Sequence, residues 1–491
     1  MLFNSVVFIS LFLPIALAGW YLLQRLKNPR YAKGFLLGMS LWFYGYYNLY
    51  YLWILIASML FNYGLSVLLE RMNRNAAQKT ARLTLLWTGI AGNLGLLFYF
   101  KYFNFFIDNC NFFLHTDISI EKIALPLGIS FFTFQQVSYI VERYRGEVEH
   151  PDILDYGCFI SFFPQLVAGP IVLYREFVPR LQAREMQKPS AKNLYEGFSL
   201  FILGFAKKVL LADSLAVLVN AEFNNIPYLD APAAWASLIF YVFELYFDFS
   251  GYCDMARGLG RMFGFGLPEN FNAPLRATSV KDFWRRWHMT LSRFLTSYIY
   301  IPLGGNRKGK ARQCINLLVV FLASGIWHGA NWTCVVWGLM HGVAMVWETL
   351  FPKLRFRAEW ANCLITQFFL TVSWTFFRCE TLDGAVLYVK KLFAGGINGL
   401  FLGACNLLQF PENYAVREAL EMLAPQYLNV FYVATYVFLL VICILLVCGP
   451  KAETWIRTKG NTAFGAFCMA TLFVWSYISL SQVSTFLYFN F

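Results

Sequence analysis

Long apolar runs organise this chain more than any helical or strand alternation does. They lie near residues 5–23, 35–48, 50–69, 84–106, 123–141, 153–173, 196–219, 233–253, 314–350, 363–377, 429–448 and 463–482. A stretch of roughly 20 apolar residues is what a helix needs to cross the hydrocarbon layer of a bilayer. Two runs are interrupted. Gly325, Gly329 and Asn331 break the run 314–350, which reads as two segments. Pro164, Gly169 and Pro170 break the run 153–173, which lies between basic loops. That pattern predicts a broken or re-entrant segment, whose backbone survives at membrane depth only where protein or a cavity satisfies it. The expected fold class is an all-α polytopic membrane protein of about ten or eleven transmembrane helices.

Composition supports this reading. Of 491 residues, 58% are hydrophobic, 19% aromatic and 14% charged, and the mean hydropathy is +0.50. A soluble domain carries roughly a quarter charged residues, so soluble, disordered and disulfide-scaffold classes are excluded. No internal repeat, low-complexity tract or long polar linker divides residues 1–491, which read as one membrane domain. The chain opens Met-Leu-Phe-Asn-Ser with no basic residue before its apolar run, so the first segment is expected to stay as an anchor. The net charge of +12 would suggest nucleic acid in a soluble protein. Here it fits basic cytoplasmic loops and anionic head groups, and no nucleic-acid partner is expected. Basic clusters at Arg25–Lys33, at Arg71, Arg74, Lys79 and Arg82, at Arg143 and Arg145, and at Arg175, Arg180 and Arg184 are all cytoplasmic if the N-terminus lies outside. The eleven cysteines contain no CxxC pair and read as small buried hydrophobes.

Segment 254–312 departs from the apolar pattern, with eleven Lys/Arg between Arg257 and Arg312 against Glu269 and Asp282. Within it, Val280 to Leu295 reads as one amphipathic helix. At about 100° per residue, Phe283, Trp284, Trp287, Leu291, Phe294 and Leu295 form a stripe, while Asp282, Arg285, Arg286 and Arg293 face away. Such a helix is expected at the cytoplasmic interface, with His288 at the edge of its stripe.

Five histidines are present, and three of them, His288, His328 and His341, fall between 288 and 341. His115 and His150 sit in polar, loop-like contexts. His328 lies in Ala323-Ser-Gly-Ile-Trp-His-Gly-Ala-Asn-Trp, inside an apolar run where an ionisable group is costly and marks a functional site by default. On one straight helix His341 would lie about 20 Å further on and on another face. That makes it structural unless the chain breaks at Gly329–Asn331. Metal and nucleotide chemistries find little support: there is no HExxH, zinc-spaced Cys/His cluster or GxSxG elbow, and Gly258-Leu-Gly-Arg-Met-Phe-Gly is not the dinucleotide fingerprint. No metal site is expected. Glu244, Asp248 and Asp254, at the end of an apolar run, either mark an ion path or hold basic partners.

Several stretches together resemble one family. They are Leu125-Pro-Leu-Gly-Ile-Ser-Phe-Phe-Thr-Phe-Gln, Phe162-Phe-Pro-Gln-Leu-Val-Ala-Gly-Pro-Ile, Tyr246-Phe-Asp-Phe-Ser-Gly-Tyr-Cys-Asp-Met-Ala, Asn270-Phe-Asn-Ala-Pro, Phe283-Trp-Arg-Arg-Trp-His-Met-Thr-Leu-Ser, Tyr300-Ile-Pro-Leu-Gly-Gly-Asn-Arg and Gly325-Ile-Trp-His-Gly-Ala-Asn-Trp. The opening Val7-Phe-Ile-Ser-Leu-Phe-Leu-Pro and the terminal Phe486-Leu-Tyr-Phe-Asn-Phe add to them. The chain resembles bacterial membrane-bound O-acyltransferases, most closely the alginate O-acetylation branch, with the teichoic acid D-alanyl transferases as relatives. The motif-dense core is 123–350. The resemblance implies a ring of helices around a central funnel. It also implies an acyl group taken from a cytoplasmic thioester, acetyl-CoA or an acyl-carrier protein, with no permanently bound cofactor. It places a catalytic histidine at His328 and a second at His288. It further implies an extracytoplasmic acyltransferase partner that completes transfer onto polymer, and a multi-pass protein of the bacterial inner membrane.

The residues suit that chemistry. Acyl transfer to a hydroxyl needs a base, and an imidazole with an ordinary pKa near ~6.5 serves at neutral pH. The Trp327 indole or a backbone amide could stabilise the oxyanion. Trp287, Asn331, Arg285 and Arg286 complete the expected donor path, the arginines offering charge to an anionic donor. Three other readings stand beside an O-acetyltransferase for a cell-surface or secreted polysaccharide: D-alanyl transfer to teichoic acids, a polymer-precursor transporter or flippase, and a non-catalytic scaffold. An inverted repeat would favour transport; none is evident.

Overall fold

The structure is a computed structural model that describes residues 1–491 except 73–77, 149–151, 184–188, 461, 482–485 and 488–491. Arg74, His150, Arg184 and the last four residues of the terminal motif therefore lie outside the described residues. Among the described residues every regular element is helical. Among the described residues, four helical stretches are long and apolar enough to cross a membrane, Leu49–Arg71, Lys79–Leu114, Trp332–Leu350 and Pro425–Cys448. Phe8–Leu23 and Ala463–Ile478 are shorter apolar helices. The chain divides into two compact units, Met1–Ile202 with Tyr252–Glu269, and Leu203–Gly251 with Asn270–Phe491.

The first unit contains α1 (Leu13–Leu23), α2 (Arg30–Gly45), α3 (Leu49–Arg71), α4 (Lys79–Leu97), α5 (Phe103–Leu114), α6 (Ile129–Arg145), α7 (Ile153–Ser161), α8 (Phe163–Leu166), α9 (Tyr174–Gln182) and most of α10 (Ala191–Ala206). Polar side chains join its apolar helices. Asn93 Nδ2 donates to Asn62 Oδ1 at 2.7 Å, Ser58 Oγ donates to Gln136 Oε1 at 3.1 Å, and Asn62 also donates to Gln136. Such bonds hold helices together where lipid offers no hydrophobic drive. The run 153–173 is broken as its prolines and glycine predict. Asp152 Oδ1 caps α7 from Leu154 N and Asp155 N, Phe162 leaves the helix, and Pro164 starts the short α8. Every residue from 155 to 174 is buried. The freed backbone is satisfied by protein: Phe163 N–H donates to Ser40 Oγ at 3.3 Å and Gly169 N–H to the Gln165 carbonyl at 3.2 Å.

The second unit holds α11 (Asp213–Phe223) and the first part of α12 (Ala231–Met262), followed by α13 (Val280–Trp284), α14 (Met289–Leu295), α15 (Gly309–His328), α16 (Trp332–Leu350), α17 (Glu359–Arg378) and α18 (Leu382–Ala394). It ends with α19 (Leu400–Cys405), α20 (Tyr414–Leu423), α21 (Leu428–Cys448), α22 (Ala452–Trp455) and α23 (Ala463–Ile478). The break in 314–350 falls where Gly329 and Asn331 predict it. Gly329 takes an extended backbone after α15, and Asn331 Oδ1 accepts Cys334 N–H at 2.9 Å to cap α16. The two helices approach through glycines. A Cβ on Gly325 would meet the Cys334 carbonyl and lie 3.0 Å from Gly338 Cα, so only small residues allow this packing.

The stripe Phe283, Trp284, Trp287, Leu291, Phe294 and Leu295 is buried as predicted, but residues 280–295 are not one helix. α13 and α14 are separated by a turn that ends at His288, whose backbone is left-handed (φ 44°, ψ 51°). Amphipathic periodicity reports which side is buried, and a tight turn can preserve that side. The turn is imposed from elsewhere in the chain. Met289 N–H donates to the Asn270 carbonyl at 3.0 Å, and Asn272 N–H to the Arg286 carbonyl at 2.8 Å. Glu348 on α16 anchors the start of α13, accepting Val280 N–H at 2.7 Å and Lys281 N–H at 3.0 Å.

Candidate functional site

His328 is the last residue of α15, and His288 is the N-cap residue of α14. The structure brings their rings to 6.3 Å between centroids. Both are buried, His288 at 0% exposure rather than at the edge of a surface stripe. The walls are aromatic. Trp327 lies 4.9 Å from His328 and 5.9 Å from His288. Trp337 and Phe377 pack against His328 at 5.2 and 5.3 Å, and Phe249 packs on His288 at 4.8 Å. Two imidazoles buried among aromatic walls are suited to exchange protons with a hydroxyl.

Asn270 holds His288. Its Oδ1 accepts Thr290 N–H at 3.1 Å and the Thr290 hydroxyl at 2.9 Å, and lies 3.3 Å from His288 Nδ1. Burial pushes the His288 pKa down to about 3, opposed by a smaller backbone contribution. The unfolded chain binds a proton near pH ~6.5 while the folded one stays neutral, so folded stability is full above that value and falls as pH drops toward 3. The slope is about 1.4 kcal/mol per pH unit. Detergent-solubilised wild type should therefore lose apparent melting temperature between pH 6.5 and 4.5 faster than His288→Gln does. Parallel curves would show that His288 is not buried neutral.

His341 is placed differently. The Trp284 indole N–H donates to His341 Nδ1 at 3.2 Å, so its proton sits on Nε2, which faces Ser373 Oγ at 3.2 Å. The Ser373 hydroxyl in turn donates to the Leu370 carbonyl at 2.7 Å. With both ring nitrogens engaged, His341 ties α13, α16 and α17 together and offers no lone pair for chemistry.

The other candidate residues separate by location. Trp327 and Trp287 are buried, at 5% and 2% exposure; Trp287 packs on Phe271 and Trp374. Asn331 is occupied as the cap of α16 and also accepts the Thr333 hydroxyl at 3.0 Å. Arg285 is exposed, whereas Arg286 pairs with Asp282 at 2.9 Å. Of the acids, Asp248 holds a basic partner. Lys208 Nζ lies 2.6 Å from Asp248 Oδ1 and 2.8 Å from Asp213 Oδ1. Asp254 pairs with Arg257 at 3.7 Å. Asp248 Oδ2 also accepts Leu487 N–H at 3.0 Å, beside Phe486, whose ring lies 5.8 Å from Phe249. Asn270, Phe249 and the 486–487 contact were missed as site components. Asn270 and Phe249 lie in quoted motifs, but nothing in their own sequence context signals contact with a histidine 18 or 39 residues away.

Comparison with known proteins identifies the family. The family model described as MBOAT, membrane-bound O-acyltransferase family, matches residues 36–382, a span containing all three of His288, His328 and His341. A peptidoglycan O-acetyltransferase of Helicobacter pylori is 36% identical, with 100% of this chain and 98% of that protein covered. The "probable alginate O-acetylase" of Azotobacter vinelandii is 38% identical over 81% of this chain and 79% of its own length. A teichoic acid D-alanyltransferase of Bacillus subtilis is 32% identical over 48% of this chain and 61% of that protein. The chain belongs to the membrane-bound O-acyltransferase family and is an acyltransferase integral to a membrane.

Proposed function

We propose that this chain passes an acyl group, acetyl in the first instance, from a cytoplasmic thioester across the bacterial inner membrane for O-acylation of a cell-surface or secreted polysaccharide. The observation that carries this reading is the buried His288–His328 pair, 6.3 Å apart between ring centroids. The reading sets His328 at the narrow point of a funnel within a multi-pass ring of about ten or eleven helices. The His328 imidazole takes the proton of an intermediate carrier hydroxyl as that hydroxyl's oxygen bonds to the thioester carbonyl carbon. The C–S bond breaks, and the departing thiolate recovers the proton. In this reading the Trp327 N–H stabilises the oxyanion, and His288, less basic through burial, orients the reacting groups. An extracytoplasmic acyltransferase completes the transfer.

The relative that covers the chain from end to end is named for peptidoglycan. A peptidoglycan-type glycan is therefore the first acceptor to assay and an exopolysaccharide the second; D-alanyl transfer, with a relative spanning 48% of the chain, comes after both. The donor, acetyl-CoA or an acyl-carrier thioester, docks on the basic segment through the exposed Arg285. Inverted membrane vesicles supplied with labelled donor and the partner should deliver label to polymer. Arg285→Glu should lower delivery several-fold at low salt, and the difference should shrink at high salt, because surface charge is screened within about 8–10 Å. Arg286→Glu also loses its bond to Asp282, so its effect should include lower stability. Delivery that ignores both charge and salt would remove the docking site. Absence of label in every polymer fraction would remove the polysaccharide reading.

A further inference from the structure

His288 adopts a left-handed backbone, which the Cβ of an L-residue disfavours, and Asn270 imposes it. Asn270 does so twice, its carbonyl accepting Met289 N–H at 3.0 Å and its side chain binding Thr290 and His288. Strain maintained this way at a buried histidine points to a functional constraint. The chemistry of the contact fixes more than position. Thr290 N–H can only donate, so the Asn270 atom that receives it is the carbonyl oxygen and not the amide nitrogen. An oxygen there repels a lone pair on His288 Nδ1 and welcomes a proton. We propose that Asn270 is the positioning residue of His288, holding it as the Nδ1–H tautomer so that Nε2 carries the lone pair inside the enclosure shared with Trp327 and His328.

This assignment gives His288 the tautomer opposite to that of His341, whose Nδ1 accepts from Trp284. His288 and His341 are thereby divided between a nitrogen offered to the site and a nitrogen committed to the fold. The inference rests on the proposed role of His288 in acyl transfer, and the tautomer is measured without activity.

The experiment is the nitrogen-15 spectrum of histidine-labelled protein in detergent, with His288→Gln to identify its signals. Wild type is expected to show His288 protonated at Nδ1. Asn270→Asp retains an acceptor and should keep that pattern and most of the activity. Asn270→Leu removes the acceptor; the Nε2–H form should appear, and kcat should fall by about 10–100-fold, as for lost orienting partners of functional histidines, with KM little changed. A loss of protein in Asn270→Leu leaves the wild-type and Asn270→Asp spectra to decide. An Nε2–H signal in wild type would overturn the proposal, as would an unchanged tautomer and kcat in folded Asn270→Leu. A fully active His288→Gln would end the transfer role of the histidine, and with it the positioning role, while an Nδ1–H spectrum would still stand as a property of the fold.

Discussion

His328→Ala is expected to lower polymer acylation by about 10²–10⁴-fold, the usual worth of a positioned acid–base group, while membrane levels of the protein change little. The side chain ends α15 and is walled by Trp327, Trp337 and Phe377. Its loss removes a proton acceptor from an apolar enclosure, and an alanine makes the end of α15 more apolar. His341→Ala should show the opposite balance. It leaves the Trp284 indole N–H without its acceptor and Ser373 without its imidazole donor, and each buried polar group left unsatisfied costs about 1–3 kcal/mol. Reduced thermal stability with a modest loss of activity per folded molecule is the expected result. His288→Ala should fall nearer to His328→Ala in activity. In-cell acylation measured beside protein abundance separates these cases. Near-normal acylation by well-expressed His328→Ala would defeat the general-base assignment, and equal loss of protein in the His328 and His341 variants would make both histidines structural.

The contrast between His328 and His288 shows where the sequence was readable. A charged or ionisable group in an apolar run is conspicuous because membrane burial is costly, so His328 stood out. The break that follows it was also visible, since Gly329 and Asn331 end one helix and cap the next by well-understood local preferences. The turn at His288 was not. Residues 280–295 keep a helical period of burial, and the left-handed position carries a histidine instead of the glycine or asparagine that usually marks one. What bends the chain there is Asn270, together with the Asn272 N–H bond to the Arg286 carbonyl. Long-range pairing of this kind leaves no trace in the periodicity of either segment. The acids of α12 fall between the two. Their place at the end of an apolar run was visible, but Lys208, which decides what Asp248 does, comes 40 residues earlier.

Lys208→Met is expected to be the most destabilising of the single substitutions considered. Lys208 and Asp248 are buried together, with side chains 5% and 1% exposed, and Asp213 at 14% shares the ammonium. Removing one partner of a buried pair leaves an uncompensated charge and typically costs about 3–5 kcal/mol. The consequence should reach the site, because Asp248 also accepts Leu487 N–H, the adjacent Phe486 ring packs tilted against Phe249, and Phe249 meets His288 edge to face. The apparent melting temperature in detergent should fall by several degrees, with a partial loss of acylation. Lys208→Met combined with Asp248→Asn should recover much of the stability, since the carboxamide is uncharged and its oxygen can still receive Leu487 N–H. That recovery is what distinguishes an unpaired charge from lost packing around the lysine stem. If the double variant melts no higher than Lys208→Met alone, the ion pair is not what secures this part of the second unit, and the ordering of Phe249 over His288 must come from the aromatic contacts alone.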